Sequence, residues 1–283
     1  VTIEDLDWMG NGVVRGNPMV FVEGALVGET CDIEMVSSKK KVINAKATNI
    51  HSPSDERQAP FCPVFDACGG CQLQHIKPDA ALEQRDRALK VMMERQLSMK
   101  PNVWQAPLAG PRPQYRRKAR LAIDARNPNQ IKLGFREANS SNVINVETCP
   151  ILVDPLSKLI GPLRDALTGF ESARHIGHIS LIAGDNTSHL VIKHTKALEA
   201  ELIDAVSELV NTSSSVGVCG IELKLENKQG QIRSVGRGTD MVMNTVSGCS
   251  ISPSANDFVQ INKAVNEKMI NQAIGWLNPK PNE

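Results

Sequence analysis

Cys62-Pro63-Val64-Phe65-Asp66-Ala67-Cys68-Gly69-Gly70-Cys71 is the stretch on which the reading of this chain turns. Its spacing is C-x5-C-x2-C, and a fourth cysteine, Cys149, is separated from Cys71 by 77 residues and again stands directly before a proline. Four thiolates hold either a tetrahedral zinc ion or a four-iron cluster. The Cys-Pro steps at 62–63 and 149–150 favour iron, because ferredoxin ligand runs end in Cys-Pro, whereas zinc folds more often use two similar cysteine pairs. Gly69 and Gly70 let the backbone turn tightly and direct amides at cluster sulfur. A lone cysteine is usually a small buried hydrophobe, and Cys31, Cys219 and Cys249, in apolar or strand-like surroundings, are expected in the core. Seven cysteines is an odd number. With no secretory signal and three of them crowded together, they argue against a secreted disulfide framework and better fit a reducing cytoplasm and a metal or cluster site.

Upstream of the cysteines, Gly10, Gly12, Gly16, Gly24 and Gly28 punctuate short β-rich runs at 13–14, 20–22 and 31–36, which predicts a small barrel over residues 1–55. Lys39-Lys40-Lys41 reads as a hairpin tip, and 52–60, with two prolines, as a linker with nothing to pack. Downstream, Leu82, Leu89, Met92, Met93 and Leu97 fall on a helical period, so 79–97 is a helix with Asp79 as its cap. β-like runs at 119–123, 131–135, 179–183, 190–192 and 221–225 alternate with helical segments at 155–170 and 197–210, which suggests an α+β domain. A final helical period over 256–277 carries Phe258, Ile261, Val265, Met269, Ile270, Ala273 and Leu277 on one face and stops before Pro279 and Pro281. The organisation expected is therefore a barrel at 1–55, a cysteine-rich loop and helix at 56–110, an α+β domain at 111–255, and a terminal helix at 256–283.

The bulk numbers agree. A length of 283 residues predicts two or three domains, and 41% hydrophobic with 22% charged residues is ordinary for globular proteins. No apolar run is long enough to span a bilayer. The start at Val1, without Met, predicts a longer or processed product. A net charge of +1 neither supports nor excludes nucleic acid. Locally, Arg112, Arg116, Arg117, Lys118 and Arg120 place five cations in nine residues with no acid among them. On a strand, Arg116, Lys118 and Arg120 share one face and would suit phosphate contacts, or form a solvated charged face. Aromatic residues are 4% of the chain, so extensive base stacking is not expected, although Trp8, Phe21 and Phe65 are available.

Asp5-Leu6-Asp7-Trp8, Gly10-Asn11-Gly12-Val13-Val14-Arg15 and Phe21-Val22-Glu23-Gly24 through Glu29 resemble a TRAM domain, a small RNA-binding barrel of OB-like type. Cys62-Pro63 and Cys68-Gly69-Gly70-Cys71-Gln72-Leu73-Gln74-His75 continue the likeness to the RumA/RlmD type of 23S rRNA uracil-5-methyltransferase. Gln114 through Arg120, Leu133-Gly134-Phe135-Arg136 and Asp257-Phe258-Val259-Gln260-Ile261-Asn262 extend it over nearly the whole chain.

The resemblance implies a [4Fe–4S] cluster on Cys62, Cys68, Cys71 and Cys149, 23S ribosomal RNA as partner, and S-adenosylmethionine as methyl donor. It also implies that Phe258 meets the target base and Gln260 the donor at the pocket edge, and that the protein is a cytoplasmic monomer. In such enzymes a cysteine thiolate adds to C6 of a flipped uracil so that C5 can attack the methyl sulfonium. The glycine-rich donor turn, that nucleophile and the base would follow Glu283 in a Rossmann-like domain, so this stretch holds no catalytic residue and is expected to be silent alone. Gly217-Val218-Cys219-Gly220 is too weak a glycine pair to be the donor turn. The other readings are a stand-alone iron–sulfur RNA-binding module without catalysis and a zinc-stabilised binding domain. Visible absorption separates iron from zinc.

Overall fold

The glycines of the first fifty residues do divide them into strands. In the computed structural model, which describes residues 1–98, 100–214 and 220–280, these are β1 (Asp5–Leu6), β2 (Gly12–Val14), β3 (Met19–Glu23), β4 (Thr30–Lys39) and β5 (Val42–Ser52). Cys219 and the 217–218 pair lie outside the described residues. The sheet order is β1-β2-β3-β5-β4, with β3 and β5 parallel and the other pairs antiparallel. Beyond the strands, Thr2 bridges Thr30, and the Val1 carbonyl accepts the Cys31 N–H at 2.9 Å. The interior is Ile3, Val22, Ala25 and Cys31, so Cys31 is the core residue expected of it. Lys40 and Lys41 form the turn between β4 and β5.

The chain divides into two compact units, and the first comprises Val1–Phe65 and Cys71–Ala109. Its helix α1 runs Pro78–Leu97. Asp79 is not the cap, because Pro78 already occupies the first turn and Lys77 stands at the cap without a side-chain hydrogen bond. The 52–60 segment does pack: Arg57 Nε and Nη2 donate to Glu29, each at 2.6 Å, and Arg57 Nη2 also reaches the Gly24 carbonyl at 2.8 Å.

The second unit, Asp66–Gly70 and Gly110–Glu283, is built on a seven-stranded sheet in the order β12-β11-β10-β9-β6-β7-β8. These strands are β6 (Lys118–Asp124), β7 (Lys132–Arg136), β8 (Val143–Asn145), β9 (Ile176–Ala183), β10 (Ser188–His194), β11 (Ile221–Glu226) and β12 (Ile232–Val235). Only β10 and β11 pair in parallel, and α4 (Ala200–Ser214) lies between them in sequence, as a parallel crossover requires. The helix expected over 155–170 is broken into α2 (Asp154–Lys158) and α3 (Ile160–Leu167), followed by a 3-10 turn at Glu171–His175.

Both faces of the central strands are covered. Leu181, Leu190, Ile192, Leu223 and Leu225 are buried, as are Leu163 and Leu167 of α3 and Leu202 and Val206 of α4. Ile182 and Val191 form a second cluster with Met241, Met243, Ala255 and Val259. This double burial explains the near-continuous apolar run of β9. A two-stranded ribbon, β13 (Met243–Asn244) and β14 (Ser250–Ile251), precedes the last helix. That helix, α5, spans Lys263–Leu277 rather than 256–277, and the Asn262 side chain caps it by accepting the Val265 N–H at 3.1 Å. Phe258 and Gln260 therefore lie in a loop, not on a helix. No helix among the described residues is long and apolar enough to cross a membrane.

Candidate cluster ligands and the strand beside them in sequence

Cys62 and Cys71 belong to the first unit, Cys68 and Cys149 to the second, and all four are half-buried. The Cys62 N–H donates to Gln74 Oε1 at 3.1 Å, and the Cys62 carbonyl accepts the Phe65 N–H at 3.2 Å, so a local turn sets this cysteine. Gln74 is itself buried and its carbonyl accepts from Gln58 Nε2. In the second unit, Cys68 bridges Glu137, and the Gly69 N–H donates to the Arg136 carbonyl at 3.0 Å, so 66–70 runs alongside the end of β7. Gly69 allows a close approach: a Cβ would lie a tight 3.2 Å from the Ala138 backbone and from the Arg136 carbonyl oxygen. The Gly70 N–H points at Cys68 Sγ, 3.4 Å away. Cys149 is set by the buried Ser157, whose hydroxyl accepts its N–H at 3.0 Å. Among the described residues no group of three or more His, Cys, Asp or Glu side chains is arranged to hold a metal ion. Cys249 is exposed rather than in the core, because it sits in the turn between β13 and β14.

The basic run enters β6, but its three alternate cations are not equivalent. Arg120 is exposed, and the strand places it opposite Ser180 of β9. Arg116 is half-buried, with Nε donating to the Lys118 carbonyl at 3.0 Å. Lys118 Nζ donates to the carbonyls of Ala255 at 3.1 Å and Asp257 at 2.7 Å. Burial lowers the Lys118 pKa from its ordinary value, with the neighbouring Arg120 charge adding to the effect. Arg117, off the expected stripe, is buried, and its Nε donates to the Gln260 carbonyl at 3.0 Å. Burial lowers its pKa too, partly opposed by Asp185 and Glu267. Sequence alternation gave no role to Arg117, Gln74 or Ser157, whose partners lie far along the chain or in turns. The run of uninterrupted cations was the one available signal for Arg117.

The Phe258 side chain is 83% exposed, and Gln260 is exposed beside it. Ala255 and Val259 on either side of Phe258 are buried in the cluster under β9 and β10.

Comparison with known proteins fits this architecture. The whole chain is 69% identical over 283 residues to the 23S rRNA (uracil(1939)-C(5))-methyltransferase RlmD of Alteromonas mediterranea, of which it covers 58%. Along its whole length this chain is similar to proteins named RlmD methyltransferases. It is also 48% identical over its whole length to RlmD of Alteromonas naphthalenivorans, covering 59% of that protein, and 34% identical to RlmD of Shewanella sediminis, covering 64%. The chain thus spans less than two thirds of the RlmD proteins it matches. Among solved structures, the Pyrococcus abyssi tRNA (uracil-54, C5)-methyltransferase, determined with S-adenosyl-L-homocysteine, superposes with a TM-score of 0.67. That match covers 97% of this chain and 64% of the other at 17% identity, which is a likeness of fold. No family model matches the chain.

Proposed function

We propose that this chain is the RNA-recognition and iron–sulfur portion of an S-adenosylmethionine-dependent methyltransferase that forms 5-methyluridine in 23S rRNA. The observation that carries the reading is the match to RlmD at 69% identity along all 283 residues. The first sheet supports an RNA-binding barrel of the TRAM type, since the Thr2–Thr30 bridge and the Cys31 N–H to Val1 carbonyl bond link its two edge-strand ends. Cys62, Cys68, Cys71 and Cys149 would hold the [4Fe–4S] cluster. The donors are apt in kind: all four are thiols, and the Gly70 N–H faces Cys68 Sγ, as amides around cluster sulfurs do. A bound cluster would supply iron–thiolate bonds joining sequence positions as distant as 62 and 149. Arg120 is the cation best disposed for phosphate, Phe258 offers an open aromatic face to a base, and the Gln260 amide can both donate to and accept from the donor. The protein would act as a cytoplasmic monomer.

The test is one preparation made without oxygen. About four irons and four sulfides per chain, with a broad visible absorption lost in Cys71→Ser, are expected. Stoichiometric zinc without iron would refute the cluster. On the same sample, binding to a 23S-derived RNA should weaken steeply with salt, and Arg120→Ala should flatten the slope of log K against log salt by about 0.7–0.9. An unchanged slope returns Arg120 to a merely solvated face.

A further inference from the structure

An exposed phenylalanine on a loop is unfavourable, and a loop free to relax would turn such a ring inward. Here the loop has apolar anchors on both sides of the ring, Ala255 and Val259, yet Phe258 stays 83% exposed. Three carbonyls of this short stretch are held by two cations from one strand entrance: Ala255 and Asp257 by Lys118 Nζ, and Gln260 by Arg117 Nε. The Arg117 N–H adds a fourth bond to the Ile261 carbonyl at 3.0 Å, and Arg116 bridges Asn262. The turn is also closed on itself, the Ser254 N–H donating to Asp257 Oδ2 at 2.7 Å and the Asp257 N–H to the Ser254 carbonyl at 3.1 Å. At its far end Lys263 Nζ is paired with Asp185 at 2.7 Å.

We propose that Arg117 and Lys118 are positioning residues that clamp the backbone of the 255–262 loop, so that Phe258 and Gln260 are presented to solvent in one fixed arrangement. The functional value of that arrangement rests on the reading of the loop as a base and donor contact; the clamp itself does not. The division of labour within the basic run follows from geometry. Two of the three N–H groups of the Lys118 ammonium already face carbonyls, and the Arg117 guanidinium is buried, so neither is disposed like a phosphate-binding side chain. Arg120, one alternation further along the same face of the strand, is exposed.

The measurement is hydrogen–deuterium exchange of 254–262 in this chain, together with the fluorine resonance of fluorine-labelled phenylalanine at position 258. Lys118→Met keeps the apolar stem and removes the ammonium. It should raise exchange in that peptide at least about tenfold, as loss of a charge-assisted hydrogen bond predicts, and shift and sharpen the fluorine signal. Lys118→Arg should restore both, Arg117→Met should reproduce the loosening, and Arg120→Ala should leave both unchanged. Because Arg117 is buried and its replacement can unfold the unit, the half-buried Lys118 carries the decisive comparison. Unaltered exchange and fluorine signal in Lys118→Met would overturn the clamp, as would loosening spread evenly over the whole unit or failure of Lys118→Arg to rescue. RNA titration of the same variants keeps the two readings apart. No binding by the unsubstituted chain would defeat the functional proposal while a localised loosening still supported the clamp.

Discussion

Glu29 has no exposed surface, yet it is placed as a carboxylate. Burial works against its charge, but hydrogen bonds from Arg57 and from the Ser54 and Leu26 N–H groups outweigh that penalty and hold its pKa below the ordinary 4.5. The link is long-range in sequence: one side chain between β3 and β4 fixes the segment leading to Cys62. Replacing Glu29 with Gln leaves the Arg57 guanidinium facing a neutral amide, and we expect a loss of about 2–4 kcal/mol in urea denaturation. A depressed carboxyl stabilises fully above its unfolded value and loses that contribution as pH falls through the folded one. The substituted protein should therefore show a weaker decline in stability below pH 4.5 than the parent.

At the scale of the element, the β6–β7–β8 meander depends on Gly134. A Cβ there would lie 2.2 Å from the Ile144 carbonyl oxygen, a backbone atom that cannot swing aside. Gly134→Ala should cost about 2–3 kcal/mol and shift the β8 register against β7. Gly177, in β9, provides the contrast, since its Cβ would meet only the Lys193 carbonyl at an ordinary 3.8 Å. Gly177→Ala should be neutral or stabilising by up to about 1 kcal/mol, because alanine loses less backbone freedom on folding. Thermal melting of the two variants side by side checks both signs, and equal effects would show that β7 and β8 are less tightly paired than their register implies. The meander bears on the proposed cluster site because its β7 end leads into Arg136 to Ala138, against which the loop around Cys68 and Gly69 is bonded.

For the whole molecule, two histidines of the large sheet set an acid limit. Burial lowers the pKa of His178, and the Arg120 and Lys193 charges add to it against the opposing pull of Glu226. Burial also lowers His189, whose Nε2 lies 3.1 Å from the Thr239 carbonyl oxygen. Both are bases with depressed values, so the unfolded chain binds protons more readily. Their contribution is complete above the unfolded value of 6.5 and disappears as pH falls below it toward the folded values. Urea midpoints measured from pH 8 to pH 5 should fall below pH 6.5, and His189→Gln should flatten that fall. A midpoint independent of pH over this window would show that the histidines stay solvated.

The sequence by itself determined the elements and the chemical inventory. Glycine spacing marked the first five strands, alternation and helical period marked most of the second unit, and Cys-x5-Cys-x2-Cys singled out three closely spaced thiols as candidate ligands, because these signals are local to a few residues. It also carried the family resemblance, which the match to RlmD along all 283 residues of this chain bears out. What it misassigned is equally physical. The 256–262 stretch has helical periodicity but does not form helix, because Lys118 and Arg117, more than a hundred residues earlier, take its carbonyls. The same contacts turned Lys118 from an expected phosphate ligand into an internal donor and left Arg120 as the open cation of the three. Only tertiary structure could decide these points, since a hydrogen bond between distant segments leaves no period in either one.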